Sequence, residues 1–398
     1  MAQLANKKGK AIGKIRTLDY LNECIFFFKS KIQPNPNRRK HTMADRVLRV
    51  GIIGQGRSGR NIHAEFLKDQ KDKFEIVAVS DFLKDRCERA EREYGCKSYQ
   101  DYREMINDKS LNLDFVVNSS FSHLHAPISK EIMLAGLNVL SEKPFGKTAD
   151  DIRELIGVSK TTGRLLAVYQ QSRFAPYYRK INEVVLSGVL GNIKMVKVAF
   201  NGFSRRYDWQ TLQCFNAGGL YNTGPHPLDQ VLGFIGRDIM PDVWCRMAVV
   251  NCKGDAEDFT KLLLSYPGRP VIDLEVCSNT NFSPYTYHIY GTYGSLMGSM
   301  THLEWKYYIP SEAPEVTLTR EPLPGPSYCK DNLVFHEGSW DVSGEDKDLF
   351  KSAGYRFYMN LYDAITQGAA LTVTPEQVLQ QIAIIEECHR QNPLPRKF

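Results

Sequence analysis

Three short stretches carry side chains whose types and spacing suit proton and hydride chemistry. In "AGGLYNTGPHPLDQ" (217–230) the titratable His226 stands between two prolines, four residues after Asn222 and three before Asp229. In "SEKPFGK" (141–147) Lys143 lies between Glu142 and Pro144. In "GIIGQGRSGR" (51–60) Gly54, Gly56 and Gly59 are spaced G-x-G-x-x-G, and Asp81 follows twenty-two residues after Gly59. Oxidising a secondary alcohol removes the O–H proton while the C–H hydrogen leaves as hydride. A histidine, titrating near neutrality, suits the proton step. An ammonium within hydrogen-bond reach stabilises the developing alkoxide, and partial burial lowers its own pKa.

Elements must position these groups. From Val47 onward, short apolar runs alternate with helical periods, the pattern of βαβ units with a parallel sheet and right-handed crossovers. "LRVGIIG", "FEIVAVSD", "LDFVVNSS", "LNVLSEKP" and "RLLAVYQ" read as strands, with helices over Ser58–Lys68, Leu83–Tyr94, Ala126–Ala135 and Asp150–Thr161. After Gln170 the pattern changes. One helix (Tyr177–Leu186) precedes strands near Ile193–Gly202, Val243–Asn251, Ala256–Tyr266, Pro270–Ser278, Thr286–Gly291 and Gly294–Thr301, joined by short turns as in an antiparallel sheet. Residues 303–345, with five prolines, read as a long loop without regular structure, and a helix closes the chain over Pro375–Gln391. The expected class is α/β: a dinucleotide-binding domain over 46–168, then a second α/β domain with a large open sheet over 169–398.

The glycine loop sits where its mechanism requires, between a strand and a helix. Gly54 permits the tight turn and Gly56 lets the backbone approach a pyrophosphate. Gly59 allows close packing, and the helix start at Ser58 faces the phosphates. Gln55, Arg57 and Ser119 belong to the same expected site. Asp81 ends the second strand, where a carboxylate accepts from ribose hydroxyls and repels a 2′-phosphate, so NAD is expected over NADP. Arg57 pulls the other way, since arginine pairs with phosphate.

The net charge of +6 is confined to the start. Residues 1–40 carry a net +8 and the remainder −2. This leaves a near-neutral body and removes the case for nucleic acid. Residues 1–45 read as a disordered extension or as translated sequence before a start at Met43, with a targeting tail as the other reading. Its longest apolar run, Cys24–Phe28, is too short to span a membrane. Nine cysteines without a C-x-x-C pair suggest reduced thiols, no metal site and a cytoplasmic location.

Taken in order, G-x-G-x-x-G, then Glu142-Lys143-Pro144, then the glycine-rich stretch leading to His226 resemble the Gfo/Idh/MocA oxidoreductases, from about Val47 to the last helix. The resemblance implies a sugar, cyclitol or related polyol as substrate, and a homodimer or homotetramer formed through the open sheet. It implies that Lys143 is the active-site lysine, that His226 exchanges the substrate's proton, and that Asp229 is the acid commonly following that histidine. Asn222 falls where many members have aspartate. Asparagine neither takes a proton nor adds negative charge. His226 is then expected to keep ordinary imidazole basicity, with activity rising through about pH 6–7.

Tyr169 and Arg173, in "YQQSRF", are expected to contact substrate. His125 is either a nicotinamide-side contact or a structural loop histidine, and Glu142 either orders Lys143 or is a solvated charge. His63 reads as a packed histidine, and Trp209 as a core or sugar-stacking ring. Two further readings keep the same fold. One is oxidation of a glycoside ring hydroxyl ahead of elimination. The other is an NAD-binding sensor without turnover, as a fungal galactose-pathway repressor related to this family has become.

Overall fold

The computed structural model describes residues 46–323, 325 and 328–398. The expectations for residues 1–45 lie outside the described residues. The first sheet has six parallel strands: β1 (Leu48–Ile53), β2 (Phe74–Ser80), β3 (Lys97–Tyr99), β4 (Phe115–Asn118), β5 (Asn138–Ser141) and β6 (Leu166–Val168). Their order is β3-β2-β1-β4-β5-β6. β1 pairs with both β2 and β4 and is buried on both faces, hence its nearly continuous apolar run. The order reverses between β1 and β4, and ligands bind at such a switch point beyond the strands' carboxyl ends.

Helices connect these strands. α1 opens as a π turn over Gly59–Ala64 and continues as α-helix over Glu65–Asp69. α2 (Lys84–Tyr94), α3 (Tyr102–Asn107), α4 (His125–Leu134) and α5 (Ala149–Thr162) follow. α5 has well-defined ends: a capping box between Thr148 and Asp151, and Gly163 in the left-handed region.

α6 (Pro176–Leu186) leads into the second sheet of eight strands. These are β7 (Ile193–Asn201), β8 (Asp242–Ala248), β9 (Phe259–Ser265), β10 (Val271–Cys277), β11 (Tyr287–Gly291), β12 (Gly294–Gly298), β13 (His302–Tyr307) and β14 (His336–Asp341). They run in the order β14-β13-β12-β11-β7-β10-β9-β8. Only β7 and β10 are parallel neighbours. Between β7 and β8 lie α7 (Gly219–Asn222) and α8 (Pro225–Ile235), and the chain closes with α9 (Leu349–Gln367) and α10 (Pro375–Gln391). α7 packs on β9 and β10, α8 on β7 and β10, and α10 on β8.

Beyond the unanticipated short elements β3 and α3 and the parallel pairing of β7 with β10, two larger features depart from the sequence expectation. The segment 303–345 is not wholly irregular. Its two ends form β13 and β14, which pair antiparallel and extend the sheet by two strands. Proline and glycine in the intervening stretch obscured the strand signal on either side. The second departure is α9, which was not anticipated. It presents Phe357, Tyr358, Leu361 and Tyr362 to the core made by Leu48, Val50, Leu67, Phe74 and Phe115. A helix encoded near the C-terminus thus completes the core of the first sheet.

Candidate active site

The glycine loop follows β1 directly. Gly54 has φ +85° and lies so close to Ser119 that a Cβ would land on the Ser119 carbonyl. The Ser119 hydroxyl donates to Ile53 O at 2.7 Å, so this residue braces the turn. A Cβ on Gly59 would collide with Gly54 O, which lets α1 start directly against the loop. Gly56 differs. A Cβ there would find only the Arg86 guanidinium, 3.6 Å away, so its outer face is open. An open glycine on a braced turn fits the close approach of a pyrophosphate.

The loop is tied to β2 through Asp81, whose side chain is only 2% exposed. Its Oδ2 accepts from Gln55 N at 2.7 Å, and its Oδ1 from Leu83 N at 3.0 Å. Arg86 Nη1 lies 3.3 Å from Oδ2, and Arg89 donates to Gln55 O at 2.9 Å. The carboxylate expected to meet the ribose is therefore largely engaged by its own loop. Arg57, in the loop, is exposed.

Lys143 leaves the carboxyl end of β5 and reaches across to the second domain. Its Nζ donates to Asn222 O at 2.7 Å and lies 3.4 Å from Asn222 Oδ1. Asn222 ends α7, and His226 lies in the first turn of α8, where Pro225 is tolerated because its missing N–H has no helical partner. Burial lowers the Lys143 pKa, helped by the positive charges of Arg57 and Arg206 and opposed by Glu142.

Glu142 is buried and orders Lys143 from behind. Its Oε2 accepts the Lys143 backbone N–H at 3.0 Å, and its Oε1 is 3.2 Å from His63 Nε2. Burial alone would raise its pKa, but the His63 hydrogen bond and the neighbouring positive charges outweigh this and hold it at about 2. His63 Nδ1 in turn meets the Tyr358 hydroxyl at 2.6 Å. His63 is thus packed, and it also supports the site, which its position inside a helix did not reveal.

His226 is held by Ser172, whose hydroxyl is 3.1 Å from Nδ1. Gln170 Nε2 donates both to that hydroxyl, at 3.0 Å, and to Pro225 O, at 2.7 Å. Gln381 also donates to Pro225 O. Ser172, Gln170 and Gln381 were missed in the sequence; the first two lie in "YQQSRF", and only the fold brings them to the histidine. Burial first, and then the Lys143 charge, push the His226 pKa down to about 3. This departs from the expectation of ordinary imidazole basicity.

The other sequence candidates occupy different places. Arg173 Nε donates to Asp229 Oδ2 at 2.8 Å, a second Arg173 nitrogen pairs with Oδ1, and Arg237 lies 3.3 Å from Oδ1. Arg173 also donates to Thr372 O. This buried cluster sets one carboxylate between two guanidiniums and ties the segment before α6 to α8, so neither Arg173 nor Asp229 is free for substrate. Tyr169 is buried with its ring 4.6 Å from His63 and 4.9 Å from Phe357. It packs in the core instead of lining the cleft. His125, the first residue of α4, is buried with its nitrogens facing Pro144 O at 2.7 Å and Ser120 O at 3.1 Å, a structural placement. Trp209 lies 4.9 Å from Phe121 and 5.8 Å from Phe215, in an aromatic cluster that joins the two domains.

Comparison with known proteins agrees with this architecture. Residues 48–170 match the model described as "Oxidoreductase family, NAD-binding Rossmann fold", and residues 178–297 match the "GFO/IDH/MocA C-terminal domain". The chain is 27% identical over 349 residues to scyllo-inositol 2-dehydrogenase (NADP(+)) IolW of Bacillus subtilis, covering 85% of this chain and 92% of that protein. It is also 27% identical over 291 residues to mouse trans-1,2-dihydrobenzene-1,2-diol dehydrogenase, covering 72% and 82%. The crystal structure of the WlbA dehydrogenase from Bordetella pertussis, in complex with NADH and UDP-GlcNAcA, shares the fold, with a TM-score of 0.68 at 21% identity over 87% of this chain and 96% of that one. Among the described residues no helix is long and apolar enough to cross a membrane. The chain belongs to the GFO/IDH/MocA family of oxidoreductases.

Proposed function

We propose that this chain is a nicotinamide-dependent dehydrogenase acting on a secondary alcohol in the ring of a sugar, cyclitol or glycoside. The observation that carries this reading is the hydrogen bonding of Lys143 across the domain boundary to Asn222, in the same turn region as His226. It brings an ammonium and an imidazole together beyond the carboxyl end of a Rossmann strand, the side on which such sheets bind ligands. The relatives support the substrate class, since their names specify a cyclic polyol and a cyclic diol.

The residues fit a dinucleotide. The turn from Gly54 to Gly59, with Gln55, Arg57 and Ser58, and Asp81 at the end of β2 would hold it, with Ser119 bracing the turn. When bound, the nicotinamide ring accepts or returns the hydride. The protein supplies the proton and the charge. Lys143 has three N–H donors, of which Asn222 engages at most two, leaving one for the substrate oxygen. That donor stabilises an alkoxide as it forms. His226 is neutral at physiological pH, and with Nδ1 held by Ser172 its Nε2 is the nitrogen left to exchange the hydroxyl proton.

The test is to follow reduced-nicotinamide absorbance while supplying inositols, sugars and glycosides with the oxidised cofactor. Lys143→Ala and His226→Ala should each lower turnover by about 10²- to 10⁴-fold. Unchanged turnover in both variants would overturn the assignment.

A further inference from the structure

Asp81 was the reason to expect NAD, and the structure changes what that residue can do. Its carboxylate offers about four lone-pair sites. Gln55 N, Leu83 N and Arg86 engage three of them, and the side chain is almost fully buried. Its negative charge is thus compensated by two backbone N–H groups and a guanidinium before any ligand arrives. Such a carboxylate repels a 2′-phosphate far less than a free one at the same position.

Arg86 is the second observation. It belongs to α2, keeps about a third of its side-chain surface exposed, and places Nη1 between Asp81 and the open face of Gly56. Those two residues bracket the ribose next to the pyrophosphate turn in this fold. A guanidinium carries five N–H donors in a planar fork suited to phosphate oxygens, and Asp81 uses one of them. Arg89, one turn beyond Arg86, adds positive charge at the same end and is fixed to Gln55 O.

We infer that Arg86 makes the ribose end of the groove accept a 2′-phosphate, so that the chain binds NADP(H) as well as NAD(H). This rests on the dinucleotide-binding reading and adds a selectivity to it. Asp81 keeps a remaining lone pair for a ribose hydroxyl, so NAD(H) is retained. The loss of Asp81 would free two backbone N–H groups of the loop and disturb both cofactors, which makes Arg86 the informative position.

The experiment is calorimetric or fluorescence titration of the full-length protein with NADH and with NADPH, without substrate. The wild type should bind both with dissociation constants within about tenfold of one another. Arg86→Ala should weaken NADPH by about 10- to 100-fold, the usual worth of hydrogen bonds to a charged group, and change NADH by less than about threefold. Retained NADH binding also reports that the variant is folded. Arg86→Lys should recover part of the NADPH affinity as a point charge. Wild-type binding of NADPH more than about 100-fold weaker than NADH, or equal loss of both in Arg86→Ala, would overturn this inference alone. Failure of the wild type to bind either nucleotide would overturn the dinucleotide site itself.

Discussion

His226 sits in a region where burial and a neighbouring cation both disfavour its charged form. Its pKa is pushed down to about 3, with the Lys143 ammonium as the second cause. Over the range in which a free histidine titrates, near pH 6.5, this one is already neutral. The profile of kcat/KM against pH should therefore lack a limb near 6.5 that depends on His226. Lys143 is shifted down from the usual lysine range, chiefly by burial, so its protonated form is lost at lower pH than usual. Activity that depends on the ammonium should fall as pH rises through that lowered value. A limb near 6.5 that vanishes in His226→Gln would contradict this. At this scale Lys143, Asn222 and His226 were singled out by the order of three motifs and the family resemblance they carry, since type and local spacing alone do not separate them from a surface lysine and a capping histidine. The sequence did not reveal that Arg173 and Asp229 cancel one another, since they are fifty-six positions apart and only the packing of α8 joins them.

The turn carrying Asn222 rests on a buried carboxyl group. Gly218 has φ +126°, and a Cβ there would land on the Glu257 carboxylate. Glu257 Oε1 accepts Leu220 N at 2.9 Å, while its Oε2 is buried without a partner. Burial raises its pKa to about 7, against 4.5 for an ordinary glutamate. Between these two values the folded protein holds a proton that the unfolded chain has lost, so stability falls as pH rises from about 4.5 to 7 and then levels. Glu257→Gln removes that penalty and keeps an acceptor for Leu220 N. It should match the wild type in chemical denaturation near pH 4.5 and exceed it by about 3 kcal/mol at pH 8. Equal pH dependence in both proteins would contradict this account. The start of α8 is legible in "NTGPHPLDQ", where a capping residue precedes Pro225. The buried glutamate is not, because Glu257 lies in an expected strand and nothing local says that its side chain is enclosed under α7.

At the scale of the molecule, the two sheets are distinct, but their cores are not separable at the linker near residue 169. α9 packs its aromatic face on the first sheet, with Tyr358 fully buried, stacked on Phe66 at 4.6 Å and bonded to His63. The helix was not anticipated, and nothing local in its sequence says which sheet its apolar residues cover. A chain ending at Asp348 should lose NADH binding and cooperative unfolding, although every residue of the glycine loop, Lys143 and His226 remains. Retention of both would show that α9 is an accessory. The same placement bears on synthesis at the ribosome. Some 190 residues separate the end of the first sheet from Phe357. At about 5–20 residues per second this segment takes roughly 10–40 s to emerge. For that interval the nascent nucleotide-binding half presents an uncovered apolar face, and a late-made helix closes onto first-made strands.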